Sequence, residues 1–238
     1  MKIVKVHSST DVDIQFLDEH KYIKEHTTYV NFKRGQVKNP YDKTVFGVGY
    51  LGVGNYVAYE DKGKKSTHVY SVWRAILIRC YDEKRKTVYP AYYDKCTVCD
   101  EWFNFQNFAK WYDEHQYKVN ERLHTDKDIK IPGNHLYSPE TCILVPQRIN
   151  MLFMNPPNDR GLPNGICLNG KGYSAKYNSK SLGTYDTLDI AFEHYAKEKE
   201  DTIRRIANEY IDIIPKDVYN TIVNYKVKKE YDINYKAS

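Results

Sequence analysis

Near the start of the chain Val12, Ile14 and Phe16 interleave with Asp11, Asp13 and Gln15, which is the period of a half-buried β-strand. Ile3-Val4-Lys5-Val6 predicts a strand before it. Tyr29 to Phe32 predicts a further strand ahead of a turn at Arg34-Gly35, so residues 1–46 read as a small β unit. From Val69 the period becomes helical. Trp73, Ile76, Leu77 and Cys80 predict a helix over 71–81, and Phe105, Phe108, Ala109 and Tyr112 predict a second over 104–114. Two short strands, 124–130 and 141–145, then flank a turn-rich middle holding Pro132, Gly133, Asn134, Ser138 and Pro139. Pro146 suits the first turn of a short helix that carries Ile149, Leu152 and Phe153.

The last third predicts three short strands over 165–185, followed by a helix capped by Asp186-Thr187 with Ala191 and Tyr195 facing the sheet. Ile203, Ile206, Ala207 and Tyr210 extend that helix, Pro215 breaks it, and Val218, Tyr219, Ile222 and Val223 form another. The expected fold is multi-module α+β. Residues 1–60 form a small β-rich accessory module, 68–155 a strand–strand–helix (ββα) region with flanking helices, and 164–238 a sheet-plus-helix module with C-terminal helices. Residues 155–163, with three prolines and Gly161, read as a linker.

Residues 47–54 contain a formal match to the dinucleotide-binding glycine pattern, but that fingerprint requires a strand running into a helix. Asn55 to Tyr59 continues as another strand-like piece, so the glycines read as a hinge between modules. No apolar run approaches the roughly 18 residues a membrane span needs, and the N-terminus lacks the apolar core of a signal peptide. A soluble cytoplasmic protein without a membrane partner is the expectation. The net charge of +5 leans toward a polyanionic partner only if the cations cluster. Lys33, Arg34, Lys38 and Lys43 form one basic edge, which serves either as an accessory nucleic-acid contact or as a solvated loop. The chain holds 23 tyrosines interleaved with Lys and Asn, a composition that suits base stacking and equally follows from AT-rich codons.

Candidate chemistry concentrates in residues 123–150. The ββα plan would bring Asp126, Asp128, Asn134, His135 and Asn150 together, a carboxylate, amide and imidazole set suited to a hard divalent cation. The odd cysteine count, without an export signal, argues against a disulfide framework. Cys96 and Cys99 have zinc-knuckle spacing, and Cys80 with Cys142 would complete four thiolates around a structural Zn²⁺. Buried reduced thiols are the competing reading.

Several motifs fall in order over about residues 70–155: Trp73, Arg79-Cys80, Cys99-Asp100-Glu101-Trp102, Asp126-Lys127-Asp128 and Gly133-Asn134-His135-Leu136-Tyr137-Ser138-Pro139-Glu140-Thr141-Cys142. Together they resemble a subgroup of the HNH-type endonucleases of bacteriophages. That resemblance implies a phage-encoded protein acting in the bacterial cytoplasm and a Mg²⁺ or Mn²⁺ ion held by Asp126 and Asn150 with Asp128 in support. In competent members a histidine follows the aspartate and deprotonates the attacking water, whereas Lys127 stands there in this chain. His124 or His135 would then have to activate the water. Thr141 likewise replaces the subgroup's usual asparagine.

Residues 164–199 resemble a second family, the ethylene-response-factor type DNA-binding domain, through Gly165, Tyr173-x-Ala175, the run Leu182-Gly183-Thr184-Tyr185-Asp186-Thr187, and Ala191. That resemblance implies a three-stranded sheet in the DNA major groove, with Lys171, Tyr173, Lys176, Asn178 and Lys180 against DNA. Lys127 and Asn134 are further expected DNA contacts. The expected function is therefore a double-stranded DNA-binding protein resembling a metal-dependent HNH endonuclease. The alternatives are a DNA-binding regulator without catalysis, in which the Lys127 ammonium meets a phosphate, or a module that blocks a host protein.

Overall fold

The computed structural model describes residues 1–235 as an α+β protein of several small sheets and helices. It divides into two compact units, Met1–Asp113 and Glu114–Ser238, rather than at the expected boundaries near 60–68 and 155–164.

The first unit opens with an antiparallel sheet of β1 (Lys2–Val6), β2 (Asp11–Gln15) and β3 (Ile23–Thr28), with β2 in the centre. Val12, Ile14 and Phe16 are buried on one face against Ile3, Tyr22, Phe32 and Val37, as the alternation requires. The third strand lies earlier than its apolar spacing suggested. Its sequence IKEHTT has one apolar residue, so no period marks it. Tyr29–Lys33 is instead the short helix α1, because the Thr28 hydroxyl accepts the Asn31 N–H as an N-cap.

The glycine stretch is packed rather than a hinge. A Cβ on Gly49 would stand 2.5 Å from the Leu77 side chain and 2.9 Å from Trp73. The Tyr50 N–H donates to the Phe103 carbonyl, and the Phe105 N–H donates back to Tyr50, both at 2.9 Å. A hairpin of β4 (Tyr59–Glu60) and β5 (Lys65–Ser66) leads into α2 (His68–Tyr81), capped by the Thr67 hydroxyl. This helix buries Tyr70, Trp73, Ile76, Leu77 and Cys80. After a two-residue strand, β6 (Thr97–Val98), α3 (Phe105–His115) buries Phe105, Phe108, Ala109, Trp111 and Tyr112. The Trp73 indole N–H donates to the Trp102 carbonyl at 2.6 Å, so the large aromatic interior leaves that polar atom satisfied.

In the second unit β7 (Leu123–Asp126) pairs antiparallel with β9 (Ile143–Pro146), with the two-residue strand β8 (Leu136–Tyr137) in the loop between them. Both strands are shorter than expected, because side chains of Asp126, Ser138 and Thr141 turn the backbone out of the ladder. Pro146 ends β9 and caps α4 (Gln147–Leu152) instead of lying inside it. Next comes an antiparallel meander of β10 (Ile166–Asn169), β11 (Gly172–Tyr177) and β12 (Lys180–Tyr185). Gly165, at φ +82°, lies so close to the Tyr195 ring and the Lys176 carbonyl that no side chain fits there.

The 21-residue helix α5 (Leu188–Asn208) and the helix α6 (Lys216–Val223), entered at Pro215, complete the unit. Ala191, Phe192, Tyr195 and Ala196 of α5 pack on Ile166 and Ala175 of the meander. Ile203, Ile206 and Ala207 share a second core with Ile129, Ile143, Val145, Ile149 and Ile222. That shared core is why no boundary falls at 155–164. The expected linker is itself stitched down: the Asn158 N–H donates to Asn234 at 2.6 Å, and the Asn164 amide donates to Asn155 at 2.6 Å. Among the described residues no helix is long and apolar enough to cross a membrane.

Ile149 is fully buried and Met151, two residues on, is exposed. Ile149→Ala should lower the unfolding free energy by about 2–5 kcal/mol, while Met151→Ala should change it by less than about 0.5 kcal/mol. Urea denaturation followed by circular dichroism checks the contrast.

Candidate functional site

The loop from β7 to β9 is organised by its own polar side chains. Asp126 ends β7, and its Oδ1 accepts the backbone N–H groups of Asp128 and Ile129, both at 2.7 Å. This is the local turn for which aspartate competes best with a continuing strand. Burial pushes the Asp126 carboxyl above the usual carboxylate range, and the charge of Asp128 adds to the effect. The two backbone N–H bonds and Lys127 pull the other way.

Lys127 turns inward. It is 5% exposed, and its Nζ donates to Asp128 Oδ1 at 2.7 Å and Oδ2 at 2.9 Å, and to the Asn134 carbonyl at 2.5 Å. The ammonium also lies 5.8 Å from the centre of the Tyr137 ring. Asn134 closes the loop from its other side: its amide donates to the carbonyls of Lys127 at 3.0 Å and Leu136 at 2.6 Å, and its Oδ1 accepts the Leu136 N–H at 3.0 Å. Thr141, in the asparagine position of the motif, donates its hydroxyl to the Leu136 carbonyl at 2.7 Å. Lys127 and Asn134, both expected to contact DNA, thus serve as internal braces in this arrangement.

His124 and Asn150 meet. His124 is on β7, Asn150 is on α4, and Asn150 Nδ2 lies 3.5 Å from His124 Nδ1. His124 and Asp126 occupy alternate positions and so point to the same face of β7. His135 is exposed on the loop. The residues expected at one point therefore fall into three places: the Asp126–Lys127–Asp128–Asn134 network, the His124–Asn150 pair, and His135. Tyr225, far away in sequence, is half-buried within electrostatic reach of the network. Its phenol is pushed up to about 12 by burial and then by Asp126 and Asp128. No sequence signal marked it.

This donor set does not suit Mg²⁺ or Mn²⁺ as arranged. A hard cation of that kind takes one or two carboxylates presented toward it. Here Asp126 Oδ1 is held by two amides, and both Asp128 oxygens are held by an ammonium.

Of the four cysteines considered for zinc, Cys80 and Cys96 are buried and Cys99 half-buried in the first unit, and Cys142 is buried in the second. Burial pushes the Cys142 thiol up to about 12.

The C-terminal meander presents one covered and one open face. Tyr173, Ala175 and Tyr177 alternate toward α5 and pack in its core, so Tyr173 is on the helix side rather than the open one. Ser174 and Lys176 point the opposite way. Lys171 is exposed in the β10–β11 turn. Asn178 and Ser179, at φ 46° and 65°, form the two-residue β11–β12 turn beside Lys180. Lys180 pairs with Glu198 at 2.9 Å on the exposed surface. Beneath Asn178 a cleft of about 410 Å³ is lined by Arg148, Tyr177, Tyr195 and Lys199, among others. Burial lowers the pKa of the Lys199 amine. Its helical spacing from Tyr195 was the only hint of this cleft in the sequence.

No protein-family model, no curated protein and no solved structure matches this chain.

If Lys127 braces the loop, Lys127→Met should cost about 2 kcal/mol, because it removes the donor that ties the Asn134 carbonyl to Asp128, while the exposed Lys130→Met should cost less than about 0.5 kcal/mol. A lysine serving only as a DNA contact would show no such difference in thermal melts.

Asp126 has a folded-state pKa above its unfolded value. Its stabilising contribution is therefore complete below about pH 3.9 and is lost as pH rises through the folded pKa. Asp126→Asn keeps an oxygen for the two amides, so the variant should match or exceed the parent in stability at pH 7 and lose part of this pH dependence. Denaturation at several pH values tests it.

Proposed function

We propose that this chain binds duplex DNA through its C-terminal meander and does not cleave it. The reading rests on the spacing of exposed cations along β11. Lys171 stands at one end of the strand and Lys176 on its open face, while Lys180, near the other end, is paired with Glu198 of α5. Six residues of strand span roughly 20 Å. That length lets the ends of the meander reach phosphates on both sides of a major groove about 12 Å wide, which admits a β-ribbon. With lysines and no arginine between Ile166 and Tyr185, phosphate positioning outweighs base reading.

The non-cleaving part of this reading is supported by the chemistry of the β7–β9 loop. A buried lysine bonded to a carboxylate is no base near neutral pH, and of the carboxylate oxygens that would hold an ion, Asp126 Oδ1 and both of Asp128 are engaged within the loop. The His124–Asn150 pair is the one observation favouring the nuclease reading, since it joins two of that reading's expected residues. A DNA-binding role of this type belongs in the cytoplasm of a bacterial host, where the phage resemblance puts it.

Gel retardation of a short duplex should show binding that weakens steeply with salt. Lys171→Glu with Lys176→Glu should reduce affinity ~10-fold or more and lower the salt slope by about 2. Supercoiled plasmid with Mg²⁺ or Mn²⁺ should stay intact. Nicking that disappears in both His124→Ala and Asn150→Ala would establish the nuclease reading instead, and salt-insensitive or absent retardation would remove DNA from the account.

A further inference from the structure

The polar face of the N-terminal sheet carries a cluster that the DNA-binding reading leaves unused. On β2 the alternation that buries Val12, Ile14 and Phe16 turns Asp11 and Asp13 to the opposite side. Asp13 is nevertheless only 7% exposed. Two histidines cover it: His7, just after β1, has Nε2 2.8 Å from Asp13 Oδ1, and His26 of β3 donates its backbone N–H to the same oxygen at 2.9 Å. The two imidazoles stack at 4.5 Å between centres.

His26 reaches this position through an irregularity in the β2–β3 ladder between Val12 and Ile14, where its φ is +51°. A bulge of this kind re-aims a side chain. One ligand atom each from His7, Asp13 and His26 lie within 4.8 Å of one another. Asp11 supplies the next layer, its Oδ2 2.9 Å from His26 Nδ1. A carboxylate bonded to one ring nitrogen orients the ring and leaves the other nitrogen to ligate.

We infer that His7, Asp13 and His26 form a site for a borderline divalent transition-metal ion of the Zn²⁺, Co²⁺ or Ni²⁺ class, with Asp11 positioning His26. Two imidazoles and one carboxylate favour such ions over Mg²⁺ or Ca²⁺, which take oxygen ligands. Binding replaces the His7–Asp13 hydrogen bond with two metal bonds and ties all three strands at one point. The need is visible in the fold: this sheet's own buried core is Val12, Ile14 and Phe16, and small units of that kind are commonly stabilised by a metal or a disulfide.

The test uses the untagged full chain, stripped with chelator and titrated with Co²⁺, then with Zn²⁺ in competition. The expected result is one equivalent bound, with visible d–d absorption and no sulfur-to-cobalt charge-transfer band, and a raised melting temperature that Mg²⁺ does not reproduce. His7→Gln and His26→Asn, the latter suited to a left-handed backbone, should melt like the parent without metal, bind Co²⁺ at least ~10-fold more weakly and lose the metal-induced shift. Asp11→Asn should weaken binding ~10-fold while keeping the spectrum. No binding by the folded parent, a thiolate-type spectrum, or unchanged affinity in both histidine variants would overturn the site.

Discussion

The second unit depends on one rod of backbone, α5, whose two halves bury different apolar surfaces. Its first turns present Ala191, Phe192, Tyr195 and Ala196 to the meander. Its last turns present Ile203, Ile206 and Ala207 to the β7–β9 hairpin, α4 and α6. A helix of 21 residues is about 30 Å long, so it holds the two surfaces at a set spacing and angle. The sheet that carries the exposed lysines and the loop that carries Asp126 therefore belong to one continuous packing problem. The small residues Ala191, Ala196 and Ala207 let the sheet and hairpin approach the helix axis closely.

Within that frame the loop after β7 is governed by electrostatics rather than by apolar packing. An ammonium 5% exposed requires acceptors, and Lys127 takes them from Asp128 and from the Asn134 carbonyl. Asp126 meets a comparable demand from two backbone amides that would otherwise be unsatisfied. Groups that could have served a metal ion are thereby enlisted to hold the loop's shape. His124 and Asn150, on regular elements outside this network, keep their mutual approach without it.

The first unit solves a different problem. Its helical part is dense with aromatics, Trp73, Trp102, Phe105, Phe108 and Tyr112 all being fully buried, whereas the N-terminal sheet buries three apolar side chains of its own. The polar face of that sheet concentrates two imidazoles on a buried carboxylate. A structural ion there and DNA contact at the C-terminal meander are compatible, since the two proposals use separate residues in separate units.

Much of the element order was legible from periodicity, because apolar spacing records which face of a helix or strand is buried. Val12, Ile14 and Phe16, the stripe of α2 and the strand–strand–strand–helix order of 164–208 all follow from it. Where spacing carried no information, the outcome was decided elsewhere. A polar edge strand over Ile23–Thr28 has no period, and the Thr28 cap made a helix of the Tyr29–Phe32 stretch. The glycines at 47–54 are punctuation by sequence and close-packing positions by structure, because only tertiary neighbours such as Trp73 and Leu77 reveal the lack of room. By itself the sequence determined the α+β class and which residue types gather in 123–150. Tertiary structure decided that Lys127 points inward, that Tyr225 lies within electrostatic reach of Asp126 and Asp128, and that His7 and His26 converge on Asp13. Side-chain direction and long-range proximity arise from packing, and no local pattern encodes them.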